Sequence, residues 1–192
     1  RHARRGSLHN CQLPGQTMTN LQPSQSHAPI VLLVEDDVDT RDMYHTALES
    51  DGYWVVDSPN STEALANAVE LQPDIIVTDI GLPGVRDGLG LARGLRQNPK
   101  TAEIPVLAVT GRDPRSFAED AGLFNAVYMK PVLPDVLVTR IRESIAQSRL
   151  LHQRGADARA RVAGLRSAFE QALNESQRVY ERRAASVFGQ PC

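Results

Sequence analysis

The chain has 192 residues, 41% hydrophobic and 23% charged, with a formal net charge of −2. This is ordinary for a soluble globular domain with extensions, and no apolar run approaches the roughly 18 residues a membrane span needs. The charge is uneven: residues 28–150 hold 19 acidic and 11 basic residues (−8), while residues 1–27 and 151–192 each carry +3. An acidic centre argues against nucleic acid as its partner.

Residues 1–27 are rich in Arg, Ser, Gln, Asn and Pro without a period, and read as a disordered tail, part of it non-native or upstream sequence. No segment resembles a secretory signal. The two cysteines, Cys11 and Cys192, lie outside every patterned segment, so a cytoplasmic setting is expected.

From Ile30 a unit repeats: a short apolar strand, then an amphipathic helix. Ile30–Val34 forms the first strand, and residues 38–50 a helix closed by Asp51-Gly52. A strand over 53–56 leads through a Ser-Asn turn to a helix over 62–71, which Gln72-Pro73 ends. Asp74–Thr78 contains a β-branched run without alternation, as a strand buried on both faces has. Gly81, Pro83 and Gly84 then force a turn directly after Asp79. A helix over 89–96, a strand over 104–109, a helix over 114–121 capped by Asp113 and a strand over 126–129 follow. A helix over 134–148 has Val136, Leu137, Ile141 and Ile145 inward. Five strands alternating with five helices in about 120 residues predict a flavodoxin-like, doubly wound α/β fold with strand order 2-1-3-4-5.

In such a sheet the site lies at the carboxyl ends of the strands. There the first strand ends in Glu35-Asp36-Asp37, the third in Asp79, the fourth in Thr110 and the fifth in Lys130. Carboxylates crowded in one crevice call for a cation, and hard oxygen ligands with room for water suit Mg²⁺. Asp37 or Asp39 could instead only cap the first helix. With a metal and an ammonium nearby, Asp79 is a candidate nucleophile for a phosphoryl group, whose oxygens Lys130 and Thr110 would bind.

Residues 30–149, through the pattern VEDD…TDIGLP…VTG…KP, resemble the receiver domain of two-component response regulators. The resemblance implies Asp79 as phosphoacceptor, Thr110 as the hydroxyl and Lys130 as the cation of the site. It implies Mg²⁺ held by Glu35, Asp36, Asp79 and the Gly81 carbonyl, and a cis bond before Pro131. The implied partner is a sensor histidine kinase or a histidine phosphotransfer protein, and the chain would signal rather than act as an enzyme. Two departures stand out. The stretch Gly84-Val85-Arg86-Asp87-Gly88 is one residue longer than the family's LPG-x-DG, and Gly122 to Lys130 is also one longer. The aromatic switch position falls on Val127, with Tyr128 beside it. A phosphatase-type enzyme would need a second Asp where Gly81 stands, and a phosphate-independent pseudo-receiver is disfavoured by the intact Asp79, Thr110 and Lys130.

Residues 151–192 are expected as a helical extension of the domain at 28–150. Ala158, Val162, Leu165, Phe169, Ala172, Ser176 and Val179 form a weak heptad-like seam, interrupted in character by Gly164. The alternatives are a solvated Arg-rich helix touching its own domain, a homodimer contact through this helix or through the fourth helix, fifth strand and fifth helix, or the beginning of an output segment. The arginines lack the aromatic interleaving of a nucleic-acid surface.

Overall fold

A computed structural model describes residues 28–188, and side chains up to residue 183. The expected tail at 1–27 lies outside the described residues. The strands β1 (Ile30–Val34), β2 (Trp54–Ser58), β3 (Ile75–Thr78), β4 (Val106–Thr110) and β5 (Ala126–Met129) form one parallel sheet in the order β2-β1-β3-β4-β5. The α-helices are α1 (Val38–Ser50), α2 (Ser61–Leu71), α3 (Gly88–Gln97) and α4 (Pro134–Phe188). Among the described residues, no helix is long and apolar enough to cross a membrane.

Strand alternation divides the core into two layers. Leu32, Val34, Ile76, Val106 and Ala108 pack under Ala64 and Ala68 of α2 and Leu91, Ala92 and Leu95 of α3. Val31, Leu33, Ile75, Val77, Leu107 and Val109 pack under Tyr44 and Leu48 of α1 and Leu137, Ile141 and Ile145 of α4. Both faces of the central strands are therefore dry, which is why their sequences show no polar alternation. Helix entries follow the caps: Asp37 accepts from Thr40 N, Asn60 from Thr62 N and Glu63 N, and Asp87 from Gly90 N.

Two elements differ from the sequence expectation. The fourth helical segment, Pro114–Leu123, is 3₁₀ rather than α and is broken at Phe117 (φ −139°, ψ 32°). Its one well-buried anchor is Phe117, which meets Phe124 edge-on with centroids 6.5 Å apart. One aromatic cannot supply the stripe that holds an α-helix on a sheet, so the chain follows the ring instead. The helical extension expected after residue 150 is present, but the fifth helix does not stop at Ser148: it runs into the extension without a break as α4, to Phe188, 55 residues in all. At its start Val136 faces solvent and Val138 is the buried residue.

At the amino end of the sheet, Arg96 ties three segments together. Its guanidinium donates to the carbonyls of Ala102 and Ile104 (both 2.8 Å) and of Leu123 (2.8 and 3.1 Å), and to Asn125 Oδ1 (3.2 Å). Asn125 in turn accepts from Val106 N at the start of β4 (2.8 Å). Arg96→Ala should cost about 2–3 kcal/mol in urea unfolding, because half-buried carbonyls lose their donor. Arg96→Lys should recover only part of this, since one ammonium cannot span the fork.

Candidate functional site

Each candidate side chain stands one step beyond a ladder whose hydrogen bonding continues past the strand. Glu35 N donates to Ser58 O (3.3 Å), Asp79 N to Val34 O (2.9 Å) and Lys130 N to Thr110 O (2.9 Å). The ladders thus fix Glu35, Asp79 and Lys130 at the carboxyl edge of β1, β3 and β5. The Lys130–Pro131 peptide is cis, as the resemblance implied.

The three side chains meet. Lys130 Nζ lies 2.7 Å from Asp79 Oδ2, and 2.7 and 3.0 Å from the two carboxylate oxygens of Glu35. Asp79 Oδ1 accepts from the backbone N–H of Gly81 (2.7 Å). Asp36 is exposed beside them, and carboxylate oxygens of Glu35, Asp36 and Asp79 all lie within 4.8 Å of one another. Glu35 is 2% exposed. Burial raises its pKa above the ordinary carboxylate value despite the Lys130 contact. Burial alone would lower Lys130, but its bonds to Asp79 and Glu35 outweigh that and hold the ammonium above its usual value. Two carboxyl groups share one ammonium, with Asp36 beside them. Such an all-oxygen cluster, with one member open to water, is a donor set suited to a hard divalent cation.

Thr110 is fully buried at the same edge but does not join this cluster; its Oγ1 accepts from Arg112 N (3.1 Å). Gly81 meets Asp79 through its N–H. Asp37 is the N-cap of α1, and the bond from Thr40 holds its carboxyl below the usual range. The sheet register places Val127 and Tyr128 on opposite faces of β5. Val127 pairs with Ala108 and lies with the core layer under α3 and the 3₁₀ segment, whereas Tyr128 pairs with Val109 and lies with the α1–α4 layer. Tyr128 is therefore on the face opposite the 3₁₀ segment.

Three supporting residues carry no motif. Arg41 Nη1 donates to Glu35 O (2.8 Å) and Asp36 O (3.5 Å), bracing the turn that presents the acids. Tyr44 Oη donates to Val132 O (2.9 Å), tying α1 to the loop after the cis peptide. Gly88 begins α3 with its N–H on Ile80 O (3.2 Å). A Cβ there would sit 2.1 Å from Asp79 O and 2.7 Å from Ile80 Cα. The only sequence signal was the Asp-Gly pair at a helix start. The extra residue before it is absorbed at the surface: Val85 is fully exposed, and Gly84 takes a positive φ of 109°. Asp87 also pairs with Arg112 Nη1 (3.1 Å), linking this loop to the one after β4.

Gly88→Ala should destabilise the chain by about 1–3 kcal/mol and displace Asp79, because the clash is with backbone that no rotamer can relieve. Gly94→Ala, in the same helix with only ordinary contact to Leu65 (3.4 Å), should be neutral or stabilising. Equilibrium unfolding of the two variants separates close approach from helix propensity.

The profile of the response regulator receiver domain matches residues 31–142. Among curated relatives, an uncharacterized 14.6 kDa protein of Leptolyngbya boryana is 34% identical over 116 residues, covering 59% of this chain and 87% of that protein. The phosphate regulon transcriptional regulatory protein PhoB of Pseudomonas aeruginosa is 33% identical over 115 residues, 58% of this chain and 49% of PhoB. The chain thus spans about half the length of that regulator. The receiver domain of the sensor histidine kinase PA1611 of Pseudomonas aeruginosa was solved with a magnesium ion coordinated in its active-site cleft. It superposes with a TM-score of 0.57 at 27% identity, covering 62% of this chain and 98% of that one. With a parallel sheet in the order β2-β1-β3-β4-β5 and an acid–lysine cluster at its carboxyl edge, the chain belongs to the response regulator receiver domain family.

Proposed function

We propose that the chain is a phosphoacceptor signalling module in which Asp79 takes a phosphoryl group from a phosphohistidine. The donor would be a sensor histidine kinase or a histidine phosphotransfer protein, and the setting the cytoplasm. The observation that carries this reading is the Lys130 ammonium, bonded at once to Asp79 and to the buried Glu35 with Asp36 alongside. In the transfer, an Asp79 carboxylate oxygen forms the new O–P bond while the P–N bond breaks and the imidazole leaves with the electron pair.

Glu35, Asp36, Asp79 and the Gly81 carbonyl would hold Mg²⁺, in keeping with their all-oxygen donor set and with the magnesium site of the PA1611 receiver. A bound Mg²⁺ supplies positive charge that neutralises the phosphoryl oxygens. This chain's own part is positional and electrostatic. Gly81 N–H holds one Asp79 oxygen, leaving the carboxylate oriented, and Lys130 offers its charge to the incoming group. Thr110 exchanges its Arg112 N–H for a phosphoryl oxygen, to which its hydroxyl donates. A charge-assisted bond of this kind is worth roughly 1.5–3 kcal/mol, enough to bias a two-state loop about ten- to a hundredfold. The loop that follows runs into the broken 3₁₀ segment, which has little helix to unfold when it moves. Val127 cannot swing between exposed and buried positions as an aromatic would, so the response passes through backbone and segment rather than through a ring. Residues 28–150 form the receiver unit in this reading, and the helix beyond carries its output.

Intact mass after treatment with acetyl phosphate and Mg²⁺ tests the proposal. The wild type should gain one phosphoryl group, while Asp79→Asn and Asp36→Ala should not. Unchanged modification of Asp36→Ala would remove the metal assignment, and modification of Asp79→Asn would remove the acceptor. Lys130→Ala should still be modified, but hydrogen exchange over residues 111–123 should no longer change on beryllofluoride addition. A wild-type exchange response in that variant would reduce Lys130 to a structural cation.

A further inference from the structure

Arg149 ties the long helix to Asp74 (2.9 Å), and Leu151, His152, Gly155 and Arg159 still line a cleft with residues 102–105. From residue 160 through 183 every residue is exposed, so about 35 Å of helix projects into water. Along it lie Val162, Leu165, Phe169, Leu173, Val179 and Tyr180; Leu165, Phe169 and Tyr180 are each about 70% exposed (72, 69 and 73%). A helix with two internal glycines, Gly155 and Gly164, gains most of its stability from packing an apolar face, and this one has such a face uncovered.

We infer that the projecting helix pairs with the same helix of a second copy of the chain, antiparallel and centred on Ser167. The seam Gly155, Ala158, Val162, Leu165, Phe169, Ala172, Ser176, Val179 alternates by three and four, so two copies can interlock along it. The antiparallel register sets Leu165 against Phe169 of the second copy, Val162 against Ala172, Ala158 against Ser176 and Gly155 against Val179. Large residues thereby face small ones toward the ends and the two largest meet at the centre. A parallel register would instead stack Phe169 on Phe169 and leave Gly155 on Gly155 and Ala158 on Ala158, with a void between them. An apolar hollow on this face, lined by Ala158, Val162 and Ala163 between the stems of Arg159 and Arg166, is a hole for such a knob.

Charge selects the same arrangement. Parallel pairing brings Arg154 to Arg159 and Arg161 to Arg166, each twice by symmetry, with no ion pair among them. Antiparallel pairing brings Arg161 to Glu175 twice and lays the Arg159 stem over the exposed Leu173. Against this it sets Arg166 near its own copy and Arg154 near Arg182. The balance still favours antiparallel, with two attractive contacts where the parallel form has none.

Sedimentation equilibrium of the full chain tests the pairing. The wild type should be a dimer, and Phe169→Asp should raise its dissociation constant at least about tenfold by placing a carboxylate in an apolar layer. Glu175→Arg should weaken the dimer, and adding Arg161→Glu should restore it. Orientation is read in a Cys11→Ser, Cys192→Ser background under mild oxidation. Ala168→Cys, which faces itself only when the helices are antiparallel, should form an interchain disulfide, whereas Ser176→Cys should not. A monomer at all concentrations, a dimer indifferent to Phe169→Asp, or a disulfide at 176 but not at 168 would each overturn the inference. Acetyl phosphate modification measured on the same samples reports the receiver chemistry separately, so either reading can fail alone.

Discussion

One ammonium holds the functional edge together. Lys130 reaches from the end of β5, past β4, to Glu35 after β1 and Asp79 after β3, and so joins three strand ends that no single ladder connects. Glu35 is nearly inaccessible, and a carboxylate there is tolerable only beside a cation. Burial still outweighs this contact and raises the Glu35 pKa, so one ammonium leaves the cluster short of positive charge. The same arrangement therefore holds the strand ends together and keeps an appetite for a cation.

The surroundings make that contact rigid. Arg41 and Tyr44, three residues apart on α1, clamp the turn after β1 and the loop after β5 respectively. On the third side Gly88 lets α3 start against the backbone of Asp79 and Ile80. Each of these acts on main-chain atoms, so the carboxylates themselves remain available for chemistry. The opposite end of the sheet is secured separately by Arg96, and nothing in its network reaches the acidic cleft. Stability at one end and chemistry at the other can then vary with little interference.

The sheet order and most element bounds were legible in the sequence because buried parallel strands are written as short β-branched runs that end in a polar residue. Glu35, Asp36, Asp79, Thr110 and Lys130 stand at those breaks, so the candidate site was legible too. What escaped detection depends on contacts between distant backbone segments. Arg41 reads as a surface helix residue, and Gly88 as a helix start; neither reveals the carbonyl it meets. The 3₁₀ path of residues 114–123 follows from where one phenyl ring finds room, which no period encodes. The helical extension beyond residue 150 was expected; that it joins the fifth helix without a break was not, because the inward apolar pattern fades where the sheet ends. Its helix formers continue without a proline, and they carry the helix on.

That continuity has a mechanical meaning. Leu137, Ile141 and Ile145 seat the base of α4 on the sheet beneath Leu107 and Val109, while no hinge or loop separates base from tip. A helix without a joint transmits tilt as a lever does: rotating the base by about 5° carries the far end about 4 Å over roughly 50 Å of length. Rearrangements too small to alter the core would thus be large at the tip.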